Sequence, residues 1–449
     1  MLFVSLREEI DIRPVGRLQV VVLVLCILCS AVEGIDIIAM SIAAVPLSSE
    51  WQLSGATTGL LLSTGSVGML LGAVLVAPSA DRYGRRNLQL FCIALAGLGM
   101  VLSGVTSSSE FLMATRFLTG IGVGAVIPIQ ALIVGEFFPL HRRATAIGLC
   151  VVGTPAGSAI GGAAGEYLIT HLGWRSIFFA GGAATLMVLI ALFLLLPETP
   201  DFLDSSRKRR QHQPSRERLE RFVRTTEPFD PSTMLRVSSN REHGRSADLS
   251  LKSIAMVILA IAFVMINGAY YMANLWLPQL LVLSGIGDGE SVRAITFFSI
   301  GGAVGALLFS ALTTRYSAFA SCLGLLAGGI AAFIALSMVT ASVATIYALS
   351  FVLGMCMLAV LGSLSVLALL LFRTEVRASA VGIGGGAGRI GAILSPLGVG
   401  LLVDAGWSSY SIFRLASVPA IVAFICIFAA GVLRSRKMPE RRTKGSEPA

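Results

Sequence analysis

The chain has 449 residues, of which 55% are hydrophobic and only 13% charged, with a mean hydropathy of +0.83; soluble globular proteins carry roughly 25% charged residues. This excludes a soluble enzyme and describes an integral membrane protein, because its apolar stretches of about 20 residues match a hydrocarbon core of roughly 30 Å. The net charge of +9, from 34 Lys and Arg against 25 Asp and Glu, reads as membrane topology and not as a nucleic-acid footprint.

Residues 1 to 17 are polar, and the apolar run that follows is too long for a signal peptide and has no small-residue cleavage site, so the first span is expected to be retained. Apolar spans begin near Leu18, Ala56, Leu88, Phe111, Ala144, Ser176, Ser253, Val292, Phe319, Ser342, Ala378 and Ser411. All twelve are predicted to be α-helices, since backbone polar groups in lipid must be satisfied within the segment and barrel strands would alternate with period two. The expected architecture is an all-α membrane protein of two pseudo-symmetric six-helix bundles, 1–196 and 251–434. A basic linker, 197–250, separates them, and a tail, 435–449, follows.

The linker carries Arg207, Lys208, Arg209, Arg210, Arg216, Arg218, Arg221, Arg224, Arg236, Arg241 and Arg245. Further basic clusters stand at Arg7, Arg13 and Arg17, at Arg82, Arg85 and Arg86, at Arg142 and Arg143, and from Arg434 to Lys444. Every cluster falls on one side of a twelve-helix zigzag, which the positive-inside rule makes cytoplasmic together with both termini. The opposite loops carry little more than Glu50, Glu110, Glu166, Asp288 and Arg293.

The halves repeat at an offset of about 234. Glu33-Gly34-Ile35-Asp36 falls on Asn267-Gly268-Ala269-Tyr270, Arg143-Ala144-Thr145-Ala146 on Arg377-Ala378-Ser379-Ala380, and Gly173-Trp174 on Gly406-Trp407. A duplicated six-helix unit of this kind places a substrate site at the midplane between halves and works by alternating access.

After the second span the chain reads Gly72-Ala73-Val74-Leu75-Val76-Ala77-Pro78-Ser79-Ala80-Asp81-Arg82-Tyr83-Gly84-Arg85-Arg86, which resembles the signature loop of the major facilitator superfamily. Gly72 would allow close helix contact, Gly84 a tight turn, and Asp81 a charge-assisted latch between the halves. Gly72, Asp81, Arg82, Gly84, Arg85, Arg86, Glu136, Arg142, Arg143 and Arg377 are the candidate cytoplasmic gate. In the second half Thr314 stands where Asp81 would repeat, so the gate is expected to be asymmetric. Arg116-Phe117-Leu118-Thr119-Gly120-Ile121-Gly122-Val123-Gly124 and Pro197-Glu198-Thr199-Pro200 are similar to the superfamily's fourth-helix motif and sixth-helix exit.

Within the superfamily the chain is most similar to the aromatic acid:proton symporters. The resemblance rests on the paired acids Glu33 and Asp36, on Trp276-Leu277-Pro278 and on Gly388-Arg389-Ile390-Gly391. It departs from that family at Glu33, where Asp is usual, so the carboxylate reaches one methylene further.

Intramembrane carboxylates are costly and persist where they face a polar cavity or pair with a base, which makes Glu33 and Asp36 the proton-site candidates. Burial and their mutual proximity favour a proton on at least one of them. A structural hydrogen-bonding pair is the alternative. Arg389 lies near mid-bilayer, where a planar guanidinium fits a substrate carboxylate or neutralises Glu33 or Asp36. Arg116 could tune the proton site or snorkel to the interface. Tyr270, Tyr271 and Trp276, with Asn267 and Asn274, offer stacking surfaces and polar handles for an aromatic ring, or are packing residues. Gln130 is a weaker candidate of the same kind.

The seven cysteines lie in apolar spans, the four histidines show no paired metal spacing, and no Gly-x-x-x-x-Gly-Lys-Ser/Thr run is present. The expectation is therefore no cofactor, no metal and no ATP, with a proton gradient as the energy source. The resemblance implies a monomeric transporter of the bacterial inner membrane that imports an aromatic carboxylate of benzoate or hydroxybenzoate type with protons. Export of drugs or metabolites, import of another organic acid such as muconate, and a non-transporting sensor are the competing readings.

Overall fold

The computed structural model describes residues 10, 15–204, 249–338, 342–372 and 374–436. Arg7, Arg13, the linker arginines from Arg207 to Arg245, and the tail beyond 436 lie outside the described residues. Among the described residues twelve helices are long and apolar enough to cross a membrane. In the first half they are α1 (Arg17–Glu50), α2 (Gly55–Tyr83), α3 (Arg85–Gly104), α4 (Ser109–Phe137), α5 (Leu140–Leu172) and α6 (Arg175–Leu195). In the second half they are α7 (Leu249–Leu283), α8 (Asp288–Leu312), α9 (Ala318–Leu336), α10 (Val343–Leu371), α11 (Thr374–Asp404) and α12 (Ser409–Arg436).

Local chemistry sets the boundaries. Serines at 54, 108, 317 and 342 cap α2, α4, α9 and α10 by accepting a hydrogen bond from the backbone N–H three residues on, which satisfies an otherwise orphaned donor. Glycines turn the chain where φ is positive, and Gly173 (φ +79°) and Gly406 (φ +77°) end α5 and α11 in matching fashion.

The repeat is visible in the packing. A methyl group added at Gly68 or Gly72 of α2 would overlap the carbonyl oxygens of Phe117 and Ile121 in α4. At Gly301 and Gly305 of α8 it would overlap those of Phe351 and Met355 in α10. Gly157 sits on the Ala31 carbonyl between α5 and α1, and Gly391 on the Val264 carbonyl between α11 and α7. Lipid supplies little hydrophobic drive between helices, so backbone contact through glycine is what holds each half together.

The two ends of the molecule differ. Hydrogen bonds between the halves gather away from the basic clusters. Ser41 Oγ donates to the Asn274 carbonyl (2.7 Å), Ser63 Oγ to the Ile393 carbonyl (2.8 Å), and Arg293 pairs with Glu166 (2.6 Å). The Asp404 carboxylate accepts from the N–H groups of Gly55 (2.6 Å) and Ala56 (2.8 Å) at the start of α2. One apolar cluster crosses the halves here, joining Leu47, Leu61 and Trp174 to Trp276 and Leu280. At the basic end the ion pairs of Arg85 and the hydrogen bonds of Arg86 stay within the first half. The far end is where the halves are joined, and the basic end is read as the open one. Sequence reading underweighted the far end, which also carries Arg175, Glu290, Asp404 and Arg414.

Candidate functional site

Glu33 sits at the middle of the 34-residue α1 and is 4% exposed. Its Oε2 accepts a long hydrogen bond (3.4 Å) from Thr154 Oγ1 of α5, which is close because Gly34 lies against the Thr154 carbonyl. Three residues on, Asp36 takes a different partner. Arg116 Nη1 of α4 donates to Asp36 Oδ1 at 2.6 Å. Arg116 Nε donates to Ser103 Oγ (3.1 Å), Nη2 donates to Thr119 Oγ1 (2.9 Å) and the Gly99 carbonyl (3.4 Å), and the guanidinium lies 5.1 Å from the Phe178 ring centre. Arg116 is 3% exposed, so it does not snorkel. With the part-buried Asp36 it forms a fully engaged ion pair inside the first half.

The second half supplies a different kind of cation. Arg389 occupies the centre of the 31-residue α11, and Gly391 two residues on brings α11 against α7. Arg389 Nη1 donates to Tyr271 Oη (3.2 Å) and approaches Met69 Sδ of the opposite half (3.6 Å). Among the described residues no carboxylate lies within 4.0 Å of its guanidinium, although Glu33 and Tyr271 are its electrostatic neighbours. Among the described residues the guanidinium is thus oriented by a phenol and forms no ion pair.

Tyr271 joins the two chemistries. With Asp36, Arg116, Ser66 and Met69 it lines a small pocket of about 40 Å³. Tyr270 and Tyr271 meet edge to face (ring centres 5.4 Å apart), and Tyr270 Oη accepts from Asn274 Nδ2 (3.2 Å). The other predicted ligands are committed elsewhere. Trp276 Nε1 donates to the Pro396 carbonyl (3.0 Å), Asn267 Nδ2 to the Phe263 carbonyl (2.8 Å), and Gln130 Nε2 to the Cys26 carbonyl (3.1 Å) while its Oε1 accepts from Ser30 (2.9 Å). Trp276 and Gln130 tie helices together, whereas the Asn267 bond lies within α7.

The signature loop forms a network within the first half. Arg85 pairs with Asp81 (2.8 Å) and Glu136 (3.0 Å), and Glu136 also accepts from the Asp201 N–H (3.2 Å). Arg86 donates from its backbone to Glu198 (3.1 Å) and from its side chain to the carbonyls of Leu196 (2.6 Å) and Phe193 (2.7 Å). Gly84 has φ +96°, and a side chain there would overlap the Glu198 carboxylate. Arg82 stacks on Tyr83 (5.4 Å). Asp81, with 79% of its side chain exposed, bonds to Arg85 of its own half, and among the described residues no ion pair of Asp81 crosses the halves. Arg142 is exposed, whereas Arg143 and Arg377 repeat one another by donating to the carbonyls of Phe138 (3.5 Å) and Phe372 (3.0 Å).

Sequence reasoning missed Thr154, Ser103, Thr119 and Met69, and only Thr119, three residues from Arg116 on one helix face, carried a signal.

Comparison with known proteins agrees with this architecture. The family model described as Major Facilitator Superfamily matches residues 25–336 and 293–449. A gallate transporter of Pseudomonas putida is 30% identical over 97% of this chain and 97% of its own. The 4-hydroxybenzoate transporter PcaK of Acinetobacter baylyi is 28% identical over 94% and 93%, and a 3-(3-hydroxy-phenyl)propionate transporter of Escherichia coli is 28% identical over 92% and 94%. Among solved structures, an inward-facing bacterial homolog of the human lysosomal transporter Spinster superposes with a TM-score of 0.67 at 19% identity, covering 97% of this chain and 100% of that one. The inward-open xylose transporter XylE of E. coli gives 0.67 at 16% identity over 91% and 96%. Twelve membrane-crossing helices in two repeated halves and these matches together lead to one conclusion: the chain belongs to the Major Facilitator Superfamily and is a multi-pass membrane transporter, not an enzyme.

Proposed function

We propose that the protein imports an aromatic carboxylate together with protons by alternating access. The observation that carries this reading is Arg389, a mid-helix guanidinium held by Tyr271 that forms no ion pair among the described residues, beside a pocket lined by the Asp36–Arg116 pair. A cation in low dielectric requires an anion, and the planar fork suits a carboxylate. Tyr271 and Tyr270 supply the ring surface. The relatives named above for gallate, 4-hydroxybenzoate and hydroxyphenylpropionate support an aromatic acid as cargo.

In this reading the basic end is cytoplasmic, both termini face the cytosol, and the bilayer is the bacterial inner membrane. One chain holds both halves of the site, so a monomer suffices. With the far end open, Glu33 and Asp36 take protons from outside while Arg389 takes the carboxylate. Proton and substrate charges offset one another, which lowers the cost of crossing the midplane. With the basic end open, as here, both are released inward. Protons are consumed on the outside, so accumulation must increase as external pH falls. The test is uptake of labelled 4-hydroxybenzoate into proteoliposomes with and without an inward proton gradient. Accumulation that collapses with a protonophore is expected; equal accumulation without a gradient would overturn the coupling.

A further inference from the structure

The inference concerns Asn274 and rests on the reading of an aromatic carboxylate as cargo. Asn274 is 2% exposed, and its amide is half used: Nδ2 donates to Tyr270 Oη at 3.2 Å, whereas Oδ1 is fully buried without a hydrogen-bond partner. A buried amide group left unpaired is costly, and native structures leave few of them without a reason. The position is also fixed from behind. Ser41 Oγ of α1 binds the Asn274 carbonyl (2.7 Å) and reaches the Leu275 carbonyl (3.3 Å), and Trp276 ties α7 to α11 through the Pro396 carbonyl (3.0 Å). These contacts fix α7 around Asn274, whose neighbours Tyr271 and Leu275 line the pocket, and the partner of Oδ1 is placed on that side.

Asn274 lies three residues beyond Tyr271 on α7, about 4.5 Å further along the helix axis toward the closed end. Tyr271 orients Arg389, which marks the carboxylate end of the cargo. A group one turn further out meets the opposite side of an aromatic ring. The polar group a ring can offer there is a hydroxyl. It donates to a free amide oxygen, and, because it also accepts, it completes the amide even if O and N are exchanged. We infer that Asn274 is the specificity residue that selects a ring-hydroxylated aromatic acid over its unsubstituted parent. Filling the orphaned acceptor then rewards the hydroxylated cargo and penalises one that leaves the amide unpaired.

The test is direct binding by calorimetry to purified full-length protein in detergent, with benzoate, 3-hydroxybenzoate, 4-hydroxybenzoate and 4-methoxybenzoate. Wild type is expected to bind one of the hydroxylated acids about ten- to a hundredfold more tightly than benzoate, and the methoxy compound, which cannot donate, no better than benzoate. Asn274→Leu should abolish that preference, hydroxybenzoate affinity falling to the level of benzoate, and a melting curve close to wild type reports that the variant is folded. Tyr270→Phe, which removes the other bond of the amide, should lower the preference without abolishing it. Equal wild-type affinity for benzoate and both hydroxybenzoates would overturn the role of Asn274, as would an Asn274→Leu variant that keeps the preference or loses both affinities in parallel. No binding of any of the four acids to wild type would instead remove the aromatic-carboxylate reading on which the inference rests.

Discussion

The two halves share a packing plan and differ in chemistry. Equal-length helices α4 and α10, both 29 residues behind a serine cap, bring Arg116 into register with Ser350. The offset that places Glu33 and Asp36 on Asn267 and Tyr270 completes the contrast: three ionisable groups in the first half stand against three neutral ones in the second. Arg389, the central cation of the second half, matches Pro155 of the first. Glycine contacts between helices survive in both halves because any side chain there would push backbones apart. Residues facing the pocket were free to diverge. The comparison teaches that duplication preserved the scaffold while the first half kept its central charges in an internal ion pair and the second carries Arg389 beside a phenol.

The sharpest way to break this contrast is Arg116→Ala. It leaves Asp36, part-buried at the pocket, without its partner and should cost about 1–3 kcal/mol of stability, whereas Ser350→Ala at the equivalent place should be nearly silent. Melting curves would show it, and Asp36→Asn added to Arg116→Ala should recover most of the loss. If the single variant melts like wild type, the pair is not structural. Shared scaffolding makes the opposite prediction for glycine: Gly72→Ala and Gly305→Ala both force a methyl group into a carbonyl oxygen, and each should destabilise by about 1–3 kcal/mol. A large cost in one half alone would contradict equivalent packing.

Arg389→Lys should have an effect of a third kind. It keeps the charge and loses the fork, so carboxylate binding should weaken by about 1.5–3 kcal/mol with little change in melting temperature. Unchanged affinity for every carboxylate tried would end its role as anchor. The smallest effect belongs to the far-end seal. Asp404 is exposed and caps α2 from the other half, so Asp404→Asn should remove only about 0.3–1 kcal/mol of charge–dipole interaction. That shifts the balance toward a far-end-open state a few-fold, readable as faster labelling of a cysteine placed at Ser63. Slower or unchanged labelling would show that the seal lies elsewhere.

Much of the fold was legible. Each of the twelve long helices begins within four residues of its predicted start, and the early starts fall on polar first turns such as Arg85-Arg86-Asn87 and Asp288-Gly289-Glu290, which an apolar run does not register. Glu33, Asp36, Arg116 and Arg389 were visible because charges inside apolar spans are rare. Their pairing was not. Nothing local distinguishes Asp36, which meets Arg116, from Glu33, which meets Thr154, because the choice depends on how α1 is rotated against α4 and α5. The contacts of Asp404 with Gly55 and of Ser63 with Ile393 span more than three hundred residues and carry no motif. The same holds for Asn274, whose half-used amide exists only once Tyr270 and Ser41 are in place.

The central claim, that proton coupling resides in the first half and is separable from substrate binding in the second, meets its most direct test in Glu33→Gln. Purified protein in proteoliposomes is assayed for counterflow of labelled 4-hydroxybenzoate, which needs binding and conformational exchange but no net proton movement, and for accumulation driven by an imposed pH gradient. Glu33→Gln mimics the protonated acid, so counterflow should persist at a rate comparable to wild type while gradient-driven accumulation, and its increase with external acidity, should vanish. Wild-type accumulation in that variant would contradict the claim.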